Sequence, residues 1–98
     1  MKTLMKWTTA AAVVLGTITG NVATAAAAVQ YVGGGTWEYG TGGGKVYSDY
    51  YHAAVKHGSS VRGKSGLVQS PCVSPGEWAR VSDNTKFFGR NESFWRHC

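Results

Sequence analysis

The sequence predicts a small antiparallel all-β domain that follows an N-terminal signal peptide. Short runs rich in aromatic and β-branched residues alternate with clusters of Gly, Pro, Ser and Asn, which is the pattern of strands separated by turns. The only helical possibility is a short turn near residues 52–56. The chain has 98 residues, of which about 70 remain after the signal peptide, so we expect a single domain with a small core.

The first element is a secretory signal peptide at residues 1–28. Lys2 and Lys6 precede an apolar run at 7–18, and small residues including Ala23-Thr24-Ala25 follow. A basic start, a short apolar run and an Ala-x-Ala exit are the three parts that the export machinery requires. A retained membrane anchor is the alternative, but threonines, glycines and Asn21 interrupt the apolar span that a bilayer needs. We predict cleavage within residues 25–28 and a folded domain at 29–98.

Strands are predicted at residues 36–39, 46–52, 59–62, 77–82, 86–89 and 93–97. The first two form an aromatic hairpin, because the glycine-rich link between them permits a tight reversal. Strand alternation places Trp37 and Tyr39 on one face. In the last strand it separates Phe94 and Arg96 from Trp95, and we expect Phe94 to face the core beside the cysteines.

Cys72 and Cys98 are the only cysteines, and a secreted chain meets an oxidising environment, so we predict that they form a structural disulfide. The alternatives are an intermolecular bridge through Cys98 and a Cys/His metal site with His97. Two thiols and one histidine do not complete a tetrahedral set, which disfavours the metal site.

Residues 29–98 contain eight Lys or Arg against five Asp or Glu, a formal net charge of +3. Lys56, Arg62 and Lys64 are close to His57 in sequence, among glycines and serines, and form a possible binding site for phosphate or an anionic surface. A solvated loop is the alternative, and the sequence alone favours it. Nucleic-acid binding is disfavoured by secretion and by the lack of a recognised motif.

The aromatic content is high for a domain of this size, so some rings must be partly exposed. Trp37, Tyr50 and Tyr51 are therefore candidate contacts with lipid or sugar. The alternative, equally weighted, is that the aromatic residues replace a larger aliphatic core. The aromatic residues after position 28 are Tyr31, Trp37, Tyr39, Tyr47, Tyr50, Tyr51, Trp78, Phe87, Phe88, Phe94 and Trp95.

No catalytic constellation is found in the sequence. His52 and His57 have no carboxylate placed to orient them, so hydrogen-bonded structural histidines are favoured over metal ligands or general bases. Ser59 and Ser60 follow a glycine without the elbow motif of a nucleophile. We therefore predict a non-enzymatic protein without cofactor or metal.

Three motifs carry a resemblance to a known family. They are Gly-Thr-Trp-x-Tyr-Gly at 35–40, Val-Tyr-Ser-x-Tyr-Tyr-His at 46–52 and His-Gly-Ser-Ser-Val at 57–61. This pattern resembles the secreted bacteriocins of the lactococcin 972 family, with weaker matches at 78–79 and 94–95. The founding type of that family has no disulfide, so the segment at 70–75 and the cysteine pair look like an elaboration.

The resemblance implies a β-sandwich of two small antiparallel sheets and a secreted antibacterial protein. It implies interference with cell-wall or septum synthesis at a lipid-linked wall precursor in the bacterial envelope. A dedicated immunity or export transporter is an expected partner. The lack of a long apolar or amphipathic helix after residue 28 fits an action other than pore formation. A secreted carbohydrate-binding or adhesion module is the alternative function.

Overall fold

The computed structural model describes residues 22–24 and 27–98, and in this part of the chain the regular elements are eight β-strands. They form two antiparallel four-stranded sheets, as the predicted sandwich requires. Sheet I has the order β1-β8-β5-β6 and sheet II the order β2-β3-β4-β7. The strands are β1 (Val22–Thr24), β2 (Ala28–Val32), β3 (Gly35–Gly42), β4 (Lys45–Tyr51), β5 (His57–Gly63), β6 (Gly66–Gln69), β7 (Trp78–Asn84) and β8 (Glu92–His97).

The predicted signal peptide falls largely outside the described residues. Its described part includes β1, which pairs with β8 through Val22 opposite Phe94. The cleavage site at 25–28 stays a prediction. Within the described residues, no helix is long and apolar enough to cross a bilayer.

The predicted aromatic hairpin is confirmed as β3 and β4. Gly43 and Gly44 join the two strands with φ values of +59° and +77°, a left-handed pair that glycine adopts without steric cost. The tight turn fixes the register and places Trp37 opposite Tyr50. Trp37 and Tyr39 share the inner face, where their rings stack with centroids 3.9 Å apart.

Serine side chains link the two sheets across the interior. The buried Ser59 hydroxyl on β5 lies 2.9 Å from the carbonyl oxygen of Ser48 and 2.8 Å from that of Ala79, both in sheet II. In the reverse direction, Ser48 Oγ donates to the carbonyl oxygen of Phe94 at 2.8 Å. Trp37 Nε1 donates to Ser48 Oγ at 2.9 Å, so the aromatic core joins the same network. Small hydroxyl groups therefore link the two sheets across the interior.

The orientation predicted for β8 is wrong. Ser93 and Trp95 point inward: Ser93 Oγ donates to the carbonyl oxygen of Tyr47 in sheet II, and Trp95 packs against the aromatic core. Phe94 therefore lies on the outer face of sheet I with Arg96. Alternation fixes which neighbours are on opposite faces, but the contact with the other sheet decides which face is inside.

A predicted strand also fails, and the one short helical turn that the sequence allowed does not form. Residues 86–89 do not form a strand. Residues 87–89 form a bend within a loop that the Lys86 backbone N–H closes by donating to Asn91 Oδ1 at 2.8 Å, and Gly89 has a φ of +92°, outside the strand region. Residues 53–55 form a bend instead of a helical turn. There His52 Nδ1 accepts from the backbone N–H of Ala54 at 3.0 Å.

The predicted disulfide joins Cys72 to Cys98, 26 positions apart. It ties the segment after β6 to the end of β8. The backbone N–H of Cys98 also donates to the carbonyl oxygen of Lys56 at 2.9 Å, so the loop before β5 belongs to the same end of the sandwich.

Candidate functional site

Two of the aromatic residues predicted as contacts are core residues. Trp37 and Tyr50 are fully buried and present no surface to a ligand. The Tyr50 hydroxyl donates to the carbonyl oxygen of Val32 at 2.8 Å, and burial raises the pKa of Tyr50 to about 12. For these two residues the structure favours the alternative interpretation, in which aromatic rings build the core of a small domain.

His57 is also removed from any surface site. It is fully buried, and its Nδ1 and Nε2 lie 2.8 and 2.6 Å from the carbonyl oxygens of Val55 and Glu77. The ring connects the loop after β4 to the residue before β7. This is the arrangement of a structural histidine, the interpretation that the sequence favoured.

The three cations do not form one cluster. Lys56 precedes β5 and Lys64 follows it, so these exposed residues lie at opposite ends of the sandwich. Eight residues of extended chain separate them by roughly 26 Å. Arg62 lies on the outer face of sheet I, near the Lys64 end. A single phosphate site made of all three is therefore excluded in this fold.

Arg62 instead lines a shallow depression on the outer face of sheet I. The depression has a volume of about 230 Å³ and opens to solvent. The Arg62 side chain is 46% exposed, and its guanidinium lies 5.7 Å from the ring centroid of Phe94. Glu92 is 3.8 Å from the guanidinium, a weak surface pair that leaves Arg62 available to a ligand. The lining residues are Ser60, Arg62, Leu67, Gln69, Phe94, Trp95 and Arg96.

Arg96 adds a second positive charge to the depression, but its hydrogen bonds hold the fold. Its guanidinium donates to the carbonyl oxygens of Ser59 at 3.1 Å and Ser70 at 2.6 Å. It lies flat on Gly58, where an added Cβ would come within 2.5 Å of the guanidinium carbon. Arg96 therefore joins β8, β5 and the segment after β6, and contributes its charge from a fixed position.

The outer face of sheet II is a different kind of surface. A row of residues crosses the sheet in register, in the order Tyr31, Thr36, Tyr51 and Trp78. Tyr31 is 83% exposed, and the rings of Tyr51 and Trp78 have centroids 5.4 Å apart. Tyr51 is therefore the one predicted aromatic contact that reaches a surface.

Charged side chains form the next row of this face. Glu38 lies opposite Asp49, and Asp49 Oδ2 accepts from Arg80 at 3.0 Å. Burial raises the pKa of the Asp49 carboxyl; Arg80 opposes this shift and the like charge of Glu38 adds to it. Burial, with both carboxylates as further causes, also raises the pKa of Tyr47. The second sheet thus combines exposed rings with hydrogen-bond acceptors.

Among the described residues, no group of three or more His, Cys, Asp or Glu side chains is arranged to hold a metal ion. His52, His57 and His97 surround Tyr50, but the first two are engaged with backbone groups. His97 Nε2 lies 2.7 Å from the carbonyl oxygen of Gly33, so it too is held by the backbone.

The sequence did not single out Phe94, Leu67 and Arg96 as neighbours of Arg62. These residues lie together because of the register of β5 with β8 and β6, which pairs Arg62 with Glu92 and with Leu67. Alternation within β8 was the only available signal, since it placed Phe94 and Arg96 on one face. Trp78 was likewise missed, because its row is assembled from four strands.

Fold and surfaces together define a small, disulfide-linked β-sandwich with a basic depression on the outer face of sheet I and an aromatic row on the outer face of sheet II. A family model for the lactococcin 972 bacteriocins matches residues 33–95. This match covers most of the chain, from the turn before β3 to the middle of β8, and the chain therefore belongs to this bacteriocin family. No curated protein and no solved structure shows significant similarity to it.

Proposed function

We propose that this protein is a secreted bacteriocin that inhibits susceptible bacteria by binding a lipid-linked cell-wall precursor, which blocks wall or septum synthesis. It acts by binding and not by catalysis. Family membership supports the antibacterial role. The half-exposed Arg62 guanidinium in the depression of sheet I is the observation that supports the precursor as target.

A lipid-linked precursor combines phosphate, sugar and hydrocarbon, and the depression offers a group for each. Arg62 can bind phosphate oxygens through two parallel N–H groups, which is the geometry that guanidinium provides. Phe94 and the half-exposed Leu67 supply apolar surface beside it. Ser60 and Gln69 supply polar groups for sugar hydroxyls. The positive charge of Arg96 raises the local potential, while its hydrogen bonds remain with backbone carbonyl groups of the fold.

The partners follow from this target. The protein would meet the bacterial envelope from outside and would not contact nucleic acid. A dedicated transporter in the producing cell would export the protein or confer immunity to it. Tyr51, Lys56 and Lys64 lie outside the depression and are not assigned to the precursor site.

Growth inhibition tests the proposal directly. The oxidised protein is added to a panel of Gram-positive bacteria, with microscopy and a membrane-potential dye in the same wells. We expect misshapen or undivided cells with an intact potential, and protection when purified lipid-linked precursor is added. Rapid depolarisation would refute the wall-directed mechanism, and inactivity on every strain would refute the antibacterial role.

Two variants, each of which replaces a basic side chain by an uncharged one, locate the site. Arg62→Gln removes the charge in the depression, and we expect roughly a tenfold loss of potency from losing one charge-assisted pair. Lys56→Gln is the matched control, since it removes an exposed charge at the other end of β5. Equal potency of the two variants would exclude the depression as the precursor site.

A carbohydrate-binding or adhesion module is the second candidate, and the row of Tyr31, Tyr51 and Trp78 favours it. Tyr31 and Tyr51 lie two strands apart, roughly 10 Å, so two rings of a sugar chain could stack along the row. Binding to purified wall polysaccharide without growth inhibition, abolished by Tyr51→Ala, would favour this function over the first.

A further inference from the structure

Two phenylalanines stand out from the surface of the sandwich. Phe87 is 91% exposed and Phe88 82% exposed, and their rings contact each other edge to face with centroids 4.8 Å apart. Exposed single apolar residues are common, but two adjacent phenylalanines in full contact with water are not. They form an apolar tip that neither the core nor the depression of sheet I uses.

The tip is carried by a closed loop. The backbone N–H of Lys86 donates to Asn91 Oδ1 at 2.8 Å, which joins the two ends of the loop. Gly89, with a φ of +92°, reverses the chain between them. The phenylalanines are therefore presented at the apex of a bend whose base is held by a hydrogen bond.

Two further turns lie at the base of this loop. The Thr85 backbone N–H donates to the carbonyl oxygen of Gly44 in the β3–β4 turn at 3.0 Å. The Lys64 backbone N–H, in the β5–β6 turn, donates to the carbonyl oxygen of Asn84 at 2.8 Å. We call this end of the sandwich, formed by the turns at 43–44 and 64–65 and the loop at 85–91, the Phe-loop end.

Positive charge is concentrated at the Phe-loop end. Five of the eight basic residues of positions 29–98 lie on its turns or on the adjoining strand positions, with only two acidic residues beside them. The remaining charges of the domain are balanced, three basic against three acidic. The net charge of +3 therefore resides at the end that carries the exposed phenylalanines. Its basic residues are Lys45, Arg62, Lys64, Lys86 and Arg90, and its acidic residues are Asp83 and Glu92.

We propose that the Phe-loop end is a membrane-docking surface, which inserts Phe87 and Phe88 into the interfacial region of an anionic lipid bilayer. An apolar tip surrounded by cations fits that surface, because the rings leave water while the Lys and Arg side chains contact lipid phosphates. Insertion reaches the headgroup and acyl boundary and does not cross the bilayer.

Docking goes beyond the wall-precursor proposal and does not depend on it. Arg62 belongs both to the Phe-loop end and to the depression of sheet I, so docking would hold the depression next to the membrane surface. Lipid binding alone can nevertheless be measured on vesicles that contain no wall precursor. The two proposals can therefore fail separately.

Vesicle co-sedimentation is the test. The chain is expressed in bacteria, and the oxidised product is used with the N terminus that the host leaves on it. It is mixed with vesicles of equal parts phosphatidylglycerol and phosphatidylcholine, or of phosphatidylcholine alone. All variants are compared with the same N terminus, determined by mass spectrometry. We expect binding to the anionic vesicles, weaker binding to the neutral ones, and a decrease in binding as salt is added.

The double variant Phe87→Ser/Phe88→Ser should bind anionic vesicles roughly tenfold or more less tightly, since both rings lose their transfer from water. Its melting temperature should equal that of the wild type, because the rings are exposed in the folded domain. Tyr31→Ser is the matched control: it removes an aromatic ring of similar exposure from the outer face of sheet II and should keep wild-type vesicle binding.

Two results would overturn the proposal. The wild type could fail to sediment with anionic vesicles, or the double variant could bind as the Tyr31→Ser control does. If the wild type does not bind vesicles but sedimentation equilibrium shows dimers that the double variant does not form, the phenylalanines are assigned to contact with a second copy of the chain.

Discussion

The hydrogen bonds between serine hydroxyls and carbonyl groups of the facing sheet can be tested with Ser59→Ala. The Ser59 hydroxyl is fully buried and shares one proton between the carbonyl oxygens of Ser48 and Ala79, at 2.9 and 2.8 Å. Alanine removes that donor from both carbonyls at once. A buried hydrogen bond contributes about 1 kcal/mol, and the acceptors left behind raise the expected loss in unfolding free energy toward about 2 kcal/mol.

Thermal unfolding followed by circular dichroism is the assay, with the disulfide oxidised in every sample. We expect the melting temperature to fall by roughly 5–15 °C, because in a domain of this size 1 kcal/mol corresponds to about 4–8 °C. Ser82→Ala is the matched control, since Ser82 is exposed on β7 of the other sheet. If the two variants melt together, the hydroxyl bonds between the sheets contribute no net stability.

Two further perturbations test the fold. Replacing Cys72 and Cys98 together by serine should lower the unfolding free energy by about 3–4 kcal/mol on the chain-entropy model, because they close a loop with a sequence separation of 26; an unchanged urea midpoint would contradict this. Burial raises the pKa of Tyr50 to about 12 from 10.0, so between those pH values the folded state keeps a phenolic proton that the unfolded chain releases. The unfolding free energy should therefore decline through this window, and less steeply in Tyr50→Phe; identical alkaline profiles in urea titrations would argue against the shift.

Local patterns were sufficient to predict the all-β class and the central hairpin. Aromatic strands around a Gly-Gly reversal specify β3 and β4, because the turn and the side-chain alternation act over a few residues. Alternation also places Tyr50 and Tyr51 on opposite faces. It does not say which of them is buried, and the structure puts Tyr50 inside against Trp95 and Tyr51 outside beside Trp78.

Contacts between strands distant in sequence explain the errors about the site. Lys56, Arg62 and Lys64 are close in sequence, but an extended strand carries Lys56 and Lys64 to opposite ends of the sandwich. The actual neighbours of Arg62, such as Phe94, come from strands whose register the sequence does not reveal. Residues that are close in sequence lie close in space when they belong to one turn. Residues at the two ends of an extended strand do not.

The placement of Phe87 and Phe88 was missed for a related reason. Phe87 and Phe88 have high strand propensity, and this led to the prediction of a strand at 86–89. Asn91 closes the segment into a loop instead, through its bond to the Lys86 backbone N–H. In this loop both rings are exposed, and the side chain that closes it lies outside the segment predicted as a strand.

The uneven distribution of charge gives the domain an electric dipole directed from the disulfide end toward the loop at 85–91. In solution, such a dipole turns the molecule in the field of a negatively charged surface before any contact forms. The encounter would then be oriented, with Phe87 and Phe88 leading and Cys98 trailing. Added salt would slow this approach as well as weaken the final attachment, because screening shortens the distance over which the surface field acts.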